Sequence, residues 1–132
     1  MLTIKNLIKE SNVDGIGLFA GQDIRKGEVV WEFTPGFDLK YTKTELEKFP
    51  LLLREYMDKY IWLSKSTGLY IFSSDNGKYF NHSSDNNNVL SYYMDGHDEV
   101  VTIAIRDIMK GEELLDDYNS FEENFDSAYN FK

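Results

Sequence analysis

Apolar and polar positions along this chain change places in short blocks, and few blocks are long enough for a regular helix. Leu2 to Ile8 reads as a short first strand. Val29-Val30-Trp31-Glu32-Phe33 is rich in β-branched and aromatic residues, the composition of a strand, and Leu69-Tyr70-Ile71-Phe72 is another. Val89 to Met94 and Glu99 to Ile105 form the arms of a predicted hairpin across Asp95-Gly96-His97-Asp98. Helical signals are confined to the middle of the chain. Thr42-Lys43-Thr44-Glu45 spells a capping box, Thr with Glu three residues on, and opens a short helix. Pro50 suits the first turn of a second helix. There Leu53, Tyr56, Met57 and Tyr60 recur at helical spacing and predict one apolar, core-facing stripe. Tyr60-Ile61-Trp62 at its end is aromatic enough to line a pocket as well. Five or six short strands with one helical insert predict a mainly β domain, a β-rich α+β fold.

The punctuation between these blocks carries more information. Asp14-Gly15-Ile16-Gly17-Leu18-Phe19-Ala20 places two glycines around one apolar residue, where glycine permits positive φ and close approach to the backbone. It is no dinucleotide fingerprint, because the third glycine and the following helix are missing. Asp75-Asn76-Gly77 is a strong turn signal. Asp23-Ile24-Arg25-Lys26-Gly27-Glu28 returns later as Asp107-Ile108-Met109-Lys110-Gly111-Glu112, which predicts the same Lys-Gly turn feeding a short strand twice. Tyr79-Phe80 then runs abruptly into Asn81-His82-Ser83-Ser84-Asp85-Asn86-Asn87-Asn88. Short amide and hydroxyl side chains of this kind hydrogen-bond nearby backbone in tight turns, and can present polar groups to a ligand.

Composition narrows the functional classes. A chain of 132 residues suits one domain. A net charge of −9 repels nucleic-acid phosphates and favours encounter with a basic partner such as a lysine-rich peptide. The absence of cysteine removes disulfides, thiolate zinc sites and cysteine nucleophiles. No stretch approaches the ~20 apolar residues of a membrane span, and the first residues lack the apolar core of a signal peptide. A soluble, intracellular protein is expected. His82 and His97 are the only histidines, without carboxylate pairs at ligand spacing, so no metal site is expected.

Three separated signals stand in order: Gly15-Ile16-Gly17-Leu18-Phe19-Ala20, Tyr79-Phe80-Asn81-His82-Ser83, and Gly111-Glu112-Glu113-Leu114-Leu115-Asp116-Asp117-Tyr118. In order and spelling they resemble the SET-domain family of protein lysine methyltransferases, most of all its compact bacterial and viral members. The resemblance covers about residues 3–121 of a single domain over 1–132, leaving an aromatic tail at 122–132. It implies several short β-sheets with a small helical insert, and a knot-like C-terminal segment that brings the Asn-His-Ser stretch beside the Asp-Tyr stretch. It implies S-adenosyl-L-methionine as cofactor, lying against Gly15, Ile16 and Gly17, with Asn81 and His82 at its amino-acid end. Tyr118 matches the family's active-site tyrosine, and Tyr60 is carried over as a second aromatic of a lysine channel. One of the aromatics Phe121, Phe125, Tyr129 and Phe131 is expected to cover the adenine. A tyrosine, with pKa near 10, is a poor base at pH 7, so Tyr118 is assigned to orientation and electrostatics.

The chain departs from the family pattern at three places. Ser84-Asp85-Asn86-Asn87 stands where many relatives have Cys-x-Pro-Asn. Ile16 fills a position that is aromatic in some compact relatives. Leu115-Asp116 replaces a more usual Thr followed by an apolar or aromatic residue. The sequence also admits a SET-like binding module without turnover, and a methyltransferase acting on something other than lysine.

Overall fold

The computed structural model describes residues 1–121. Chain order runs β1 (Asn6–Glu10), β2 (Ile16–Ala20), β3 (Val29–Glu32) and β4 (Leu39–Tyr41), then α1 (Lys43–Glu47) and α2 (Leu51–Met57). It continues through β5 (Trp62–Leu63), β6 (Tyr70–Phe72), β7 (Asn81–His82), β8 (Val89–Tyr92), β9 (Val101–Ala104) and β10 (Leu115–Asp116). The strands form four small sheets: β1-β2, β3-β9-β8, β4-β6-β5, and the parallel pair β7-β10. The mainly β reading therefore holds, with the helices confined to one insert. No helix among the described residues is long and apolar enough to cross a membrane.

The first strand begins later than the sequence predicts. Leu2 bridges to Trp31 and Thr3 N donates to Val30 O (3.0 Å), so the opening residues pair with β3 before the chain turns into β1. This buries Leu2 and Ile4, and with Leu18, Val30, Trp31, Val89, Ile108 and Leu114 they belong to the main core. The predicted hairpin is β8-β9, antiparallel with Val89 opposite Ala104.

The capping box forms as written, Thr42 Oγ1 accepting from Glu45 N (3.1 Å) and Glu45 Oε2 from Thr42 N (3.3 Å). The apolar stripe on α2 does not. Only Met57 is buried, against Leu46 and Ile61, while Leu53 and Tyr56 are 40% and 45% exposed. The helix stops at Met57, and Tyr60 lies beyond it. Seven helical residues are two turns, too few for a continuous seam to seat on the small core beneath. Asp75-Asn76-Gly77 is likewise no hairpin turn. Asp75 Oδ1 accepts from Gly77 N (2.9 Å) and Oδ2 from Leu2 N (2.8 Å), which turns the chain into a 3₁₀ segment, Asn76–Tyr79.

The repeated phrase turns out to pair with itself. Ile24 N donates to Ile108 O (2.8 Å), and Ile108 N to Ile24 O (2.7 Å). Lys26 N donates to Asp107 Oδ1 and Lys110 N to Asp23 Oδ1, both at 2.8 Å. Gly27 N reaches Ala104 O and Gly111 N reaches Ala20 O, again both at 2.8 Å. Gly27 and Gly111 carry φ of 91° and 95°, which only glycine adopts cheaply. The two copies are thus related by a local two-fold, each capping the other's turn.

Candidate active site

The second copy delivers β10 to β7, in parallel register, with Leu115 beside Asn81 and Asp116 beside His82. Asn88 flanks β10 from the other direction. Its Nδ2 donates to Glu113 O (2.7 Å), its Oδ1 accepts from Leu115 N (2.9 Å), and its N donates to Leu115 O (3.1 Å). Three bonds from one buried side chain and its amide hold a strand only two residues long. The polar run from Asn81 to Asn88 thus does structural work at its far end. It also brings the Asn-His-Ser and Asp-Tyr stretches together, as the resemblance implies.

Tyr118 follows directly. Its N donates to His82 Nδ1 (3.0 Å), which makes that nitrogen the acceptor, and its hydroxyl donates to Phe80 O. The His82 and Phe121 rings lie 5.2 and 5.7 Å from the Tyr118 ring. Asn81 Nδ2 donates to Asp14 O (2.9 Å) and Glu113 Oε2 (3.1 Å), with a longer approach to Ile16 O (3.4 Å). These three contacts use the amide nitrogen of Asn81, not its Oδ1.

Glu113 is the residue that motif reading passed over. Both its oxygens lie 2.8 Å from Ser11 Oγ, and one holds Asn81. Gly17 owes its identity to this carboxylate: a Cβ there would stand 2.7 Å from Glu113 Oε2 and 2.9 Å from Ser11 Cβ. Gly15, at φ 46°, supplies the turn before β2. The signal for Glu113 lay in the repeat, because the second phrase writes a carboxylate where the first writes Val29.

Two hollows meet at this point. A cleft with about 1150 Å³ of free space, open to solvent, has Asp14, Gly15 and Ile16 on one wall and Tyr79 and Asn81 on the other. A second cavity of about 560 Å³ is bordered by Trp31, Trp62, Ser91, Asp116 and Phe121. Lys59, Tyr60, Lys78, Phe80 and Tyr118 line both. Of the residues expected to hold a cofactor, Gly15, Ile16, Asn81 and Tyr118 face the cleft, whereas Gly17 and His82 are not among its lining residues. Phe121 is buried against Trp62 and Tyr118. The tail aromatics Phe125, Tyr129 and Phe131 lie outside the described residues.

Two ionisable groups here are shifted. Burial, helped by Tyr79 and Tyr56, pushes the Tyr60 hydroxyl up, keeping it a neutral donor at pH 7. Asp116 is pushed up to about 7 by burial, against the pull of the Ser91 hydroxyl. The cleft offers backbone carbonyls and Asp14 for a cationic group, Lys59 and Lys78 for an anionic one, and aromatic walls between. With these polar groups set beside the rings of Tyr60, Tyr79, Phe80 and Tyr118, it fits a zwitterionic nucleoside such as S-adenosylmethionine.

Residues 15–119 match the SET domain family. The histone-lysine N-methyltransferase trithorax of Drosophila virilis is 30% identical over 122 residues, which cover 82% of this chain and 3% of that protein. A structure of the Chaetomium thermophilum Polycomb Repressive Complex 2 bound to S-adenosylmethionine superposes with a TM-score of 0.67 at 25% identity, covering 91% of this chain and 16% of that one. A Plasmodium falciparum protein assigned as a histone methyltransferase shares the fold, with a TM-score of 0.60, 21% identity, and coverage of 89% and 95%. This chain therefore spans a small part of the trithorax and Polycomb relatives it matches. Motifs, fold and matched span agree: the chain belongs to the SET domain family.

Proposed function

We propose that this protein transfers methyl groups from S-adenosylmethionine to lysine side chains of proteins. The carrying observation is that the cleft and the aromatic cavity share Tyr60, Phe80 and Tyr118, so a cofactor in one and an amine in the other would meet at these residues. The family supports the cofactor: a neighbouring structure is bound to S-adenosylmethionine. When bound, it supplies a methyl group on a sulfonium for in-line displacement by a neutral amine, a geometry in which orientation alone can lower the barrier by ~7–11 kcal/mol.

The chain's own residues divide the work. Gly15, Ile16 and the Asn81 amide hold the cofactor. Gly17 acts by admitting Glu113, which fixes Asn81. His82 acts by anchoring the backbone of Tyr118. The Tyr118 hydroxyl, which donates to Phe80 O, offers its oxygen as an acceptor to an amine N–H or to weak contacts with the methyl hydrogens. Tyr60 closes the opposite side of the passage. A chain at net charge −9 favours a basic protein or peptide as substrate. The cysteine-free composition suits a reducing, intracellular setting.

Calorimetry with S-adenosylmethionine, wild type beside Asn81→Ala, tests the cofactor half. Saturable binding that weakens about tenfold in the variant is expected, the loss of one hydrogen-bonding group. Labelled-methyl transfer to a lysine-rich peptide, abolished by acetylating the lysines, tests the other half. A wild-type protein that neither binds the cofactor nor labels the peptide would sink the proposal.

A further inference from the structure

Asp116 is an unusual tenant of the aromatic cavity. It is 2% exposed and borders a hollow walled largely by indole, phenyl and phenol rings, with Lys59, Lys78, Ser91 and Thr102 also on the lining. One carboxylate oxygen, Oδ2, accepts from Ser91 Oγ at 2.6 Å, and Ser91 Oγ lies 2.8 Å from Thr102 Oγ1. The other, Oδ1, is buried and makes no well-formed hydrogen bond among the described residues. A buried carboxylate oxygen left this way is costly unless something arrives to satisfy it. The Trp31 indole N–H, on a residue bordering the same cavity, is also buried with no hydrogen-bond partner among the described residues. One carboxylate among aromatic faces is the chemistry that recognises a cation with N–H groups, since ring faces and a carboxylate both attract it.

We infer that Asp116 is a catalytic residue of the transfer reaction: its Oδ1 receives the substrate's lysine ammonium and takes one of its protons, leaving the amine neutral beside Tyr118. The N–H bond breaks as an O–H bond forms on Oδ1, and its electron pair becomes the amine's lone pair. That pair makes the new N–C bond while the methyl's bond to sulfur breaks and sulfur keeps its electrons. Asp116 later returns its proton to solvent as the product leaves. A carboxyl raised by burial toward 7 is a far better match to an amine than an ordinary aspartate. The titratable groups around it are Asp117 just past its strand, His82 on β7, Tyr118, and Lys59, Tyr60 and Lys78 along the cavity; β8 and β9 present the hydroxyls of Ser91 and Thr102.

The inference rests on the methyl-transfer reading, so its test includes a probe that needs no turnover. The probes are n-butylammonium, which carries the end of a lysine side chain, and the uncharged n-pentanol, titrated by NMR into the full chain at pH 5.5 and pH 8. Butylammonium should bind wild type about tenfold tighter at pH 8 than at pH 5.5, as Asp116 ionises. Asp116→Asn should erase that difference and leave pentanol binding unchanged. The pH–rate profile of peptide methylation should lose its acidic limb in the same variant. Equal wild-type binding at the two pH values, which needs no variant to fold, overturns the inference. So does pH dependence that survives Asp116→Asn. A wild type that methylates peptide but holds butylammonium no better than Asp116→Asn overturns the role of Asp116 alone. Butylammonium held through Asp116 without any methylation would keep the cation site and remove the transfer reading.

Discussion

The first Asp-Ile-x-Lys-Gly-Glu phrase leads into Val29-Val30-Trp31-Glu32, and the second into Glu113-Leu114-Leu115-Asp116. The backbone frames match bond for bond, from the reciprocal Ile24–Ile108 pair to the two Asp caps. Val30 and Leu114 occupy corresponding places and are both fully buried. The side chains on either side diverge. The first copy spends its strand on the core, with Trp31 packed against Gly77 and Leu2. The second puts a carboxylate on Asn81, another in the cavity wall, and a tyrosine just past the strand end. One frame thus supports both stability and chemistry, and the division is set by which residues follow the turn.

The largest effect that separates the copies is expected at Asp116. Its folded pKa of about 7 lies above the ordinary 3.8, so the folded state binds the proton more tightly than the unfolded one. The cost is absent below pH ~3.8, grows as pH rises, and is complete above about 7, at about 4 kcal/mol. Asp116→Asn should therefore stabilise the protein by up to that amount at pH 8 and by nothing near pH 3.5, read by denaturant melts at both pH values. Glu32→Gln, the corresponding change in the first copy, should move neither.

Next comes Tyr118→Phe, expected to lower kcat/KM for peptide methylation about 100-fold, or about 2.7 kcal/mol. Thr34→Val, at the corresponding place in the first phrase, should leave kcat/KM unchanged. A smaller separation is expected at Glu113→Gln. S-adenosylmethionine affinity should fall about tenfold in calorimetry as Asn81 loses its anchor, whereas Val29→Ala should leave it intact. The smallest effects should be symmetric. Asp23→Ala and Asp107→Ala each remove one cap from the partner turn and should each cost about 1 kcal/mol. Unequal losses would show that the two halves of the frame are not equivalent.

Where local chemistry decides the structure, the sequence was legible. Thr42 and Glu45 cap α1, β8 and β9 pair as a hairpin, and both Lys-Gly turns form. The motifs carrying Asn81, Tyr118 and Tyr60 converge on one place. Elsewhere the answer depended on a partner far along the chain. Asp75 serves Leu2 as well as Gly77, so its turn signal did not yield a hairpin. Gly17 answers to Ser11 and Glu113, which no local pattern reveals. The α2 stripe failed because helical spacing says nothing about where a helix stops. Asp116 was visible as a departure from its family, but its burial and its bond to Ser91 were not.

The pairing of the two phrases also governs how the protein reaches its native state. Ala20, Ile24 and Gly27 donate backbone hydrogen bonds to Glu112, Ile108 and Ala104, and Asn88 makes three bonds to residues 113–115. Contacts between such distant parts of a chain must overcome loop closure before they return any energy, which slows folding. Neither phrase can finish its turn alone, so a nascent chain emerging from the ribosome holds an unpaired edge until residues 104–115 are made. Synthesis that stalls before residue 104 leaves Asn88 and the first phrase exposed together, an open template for association with another chain.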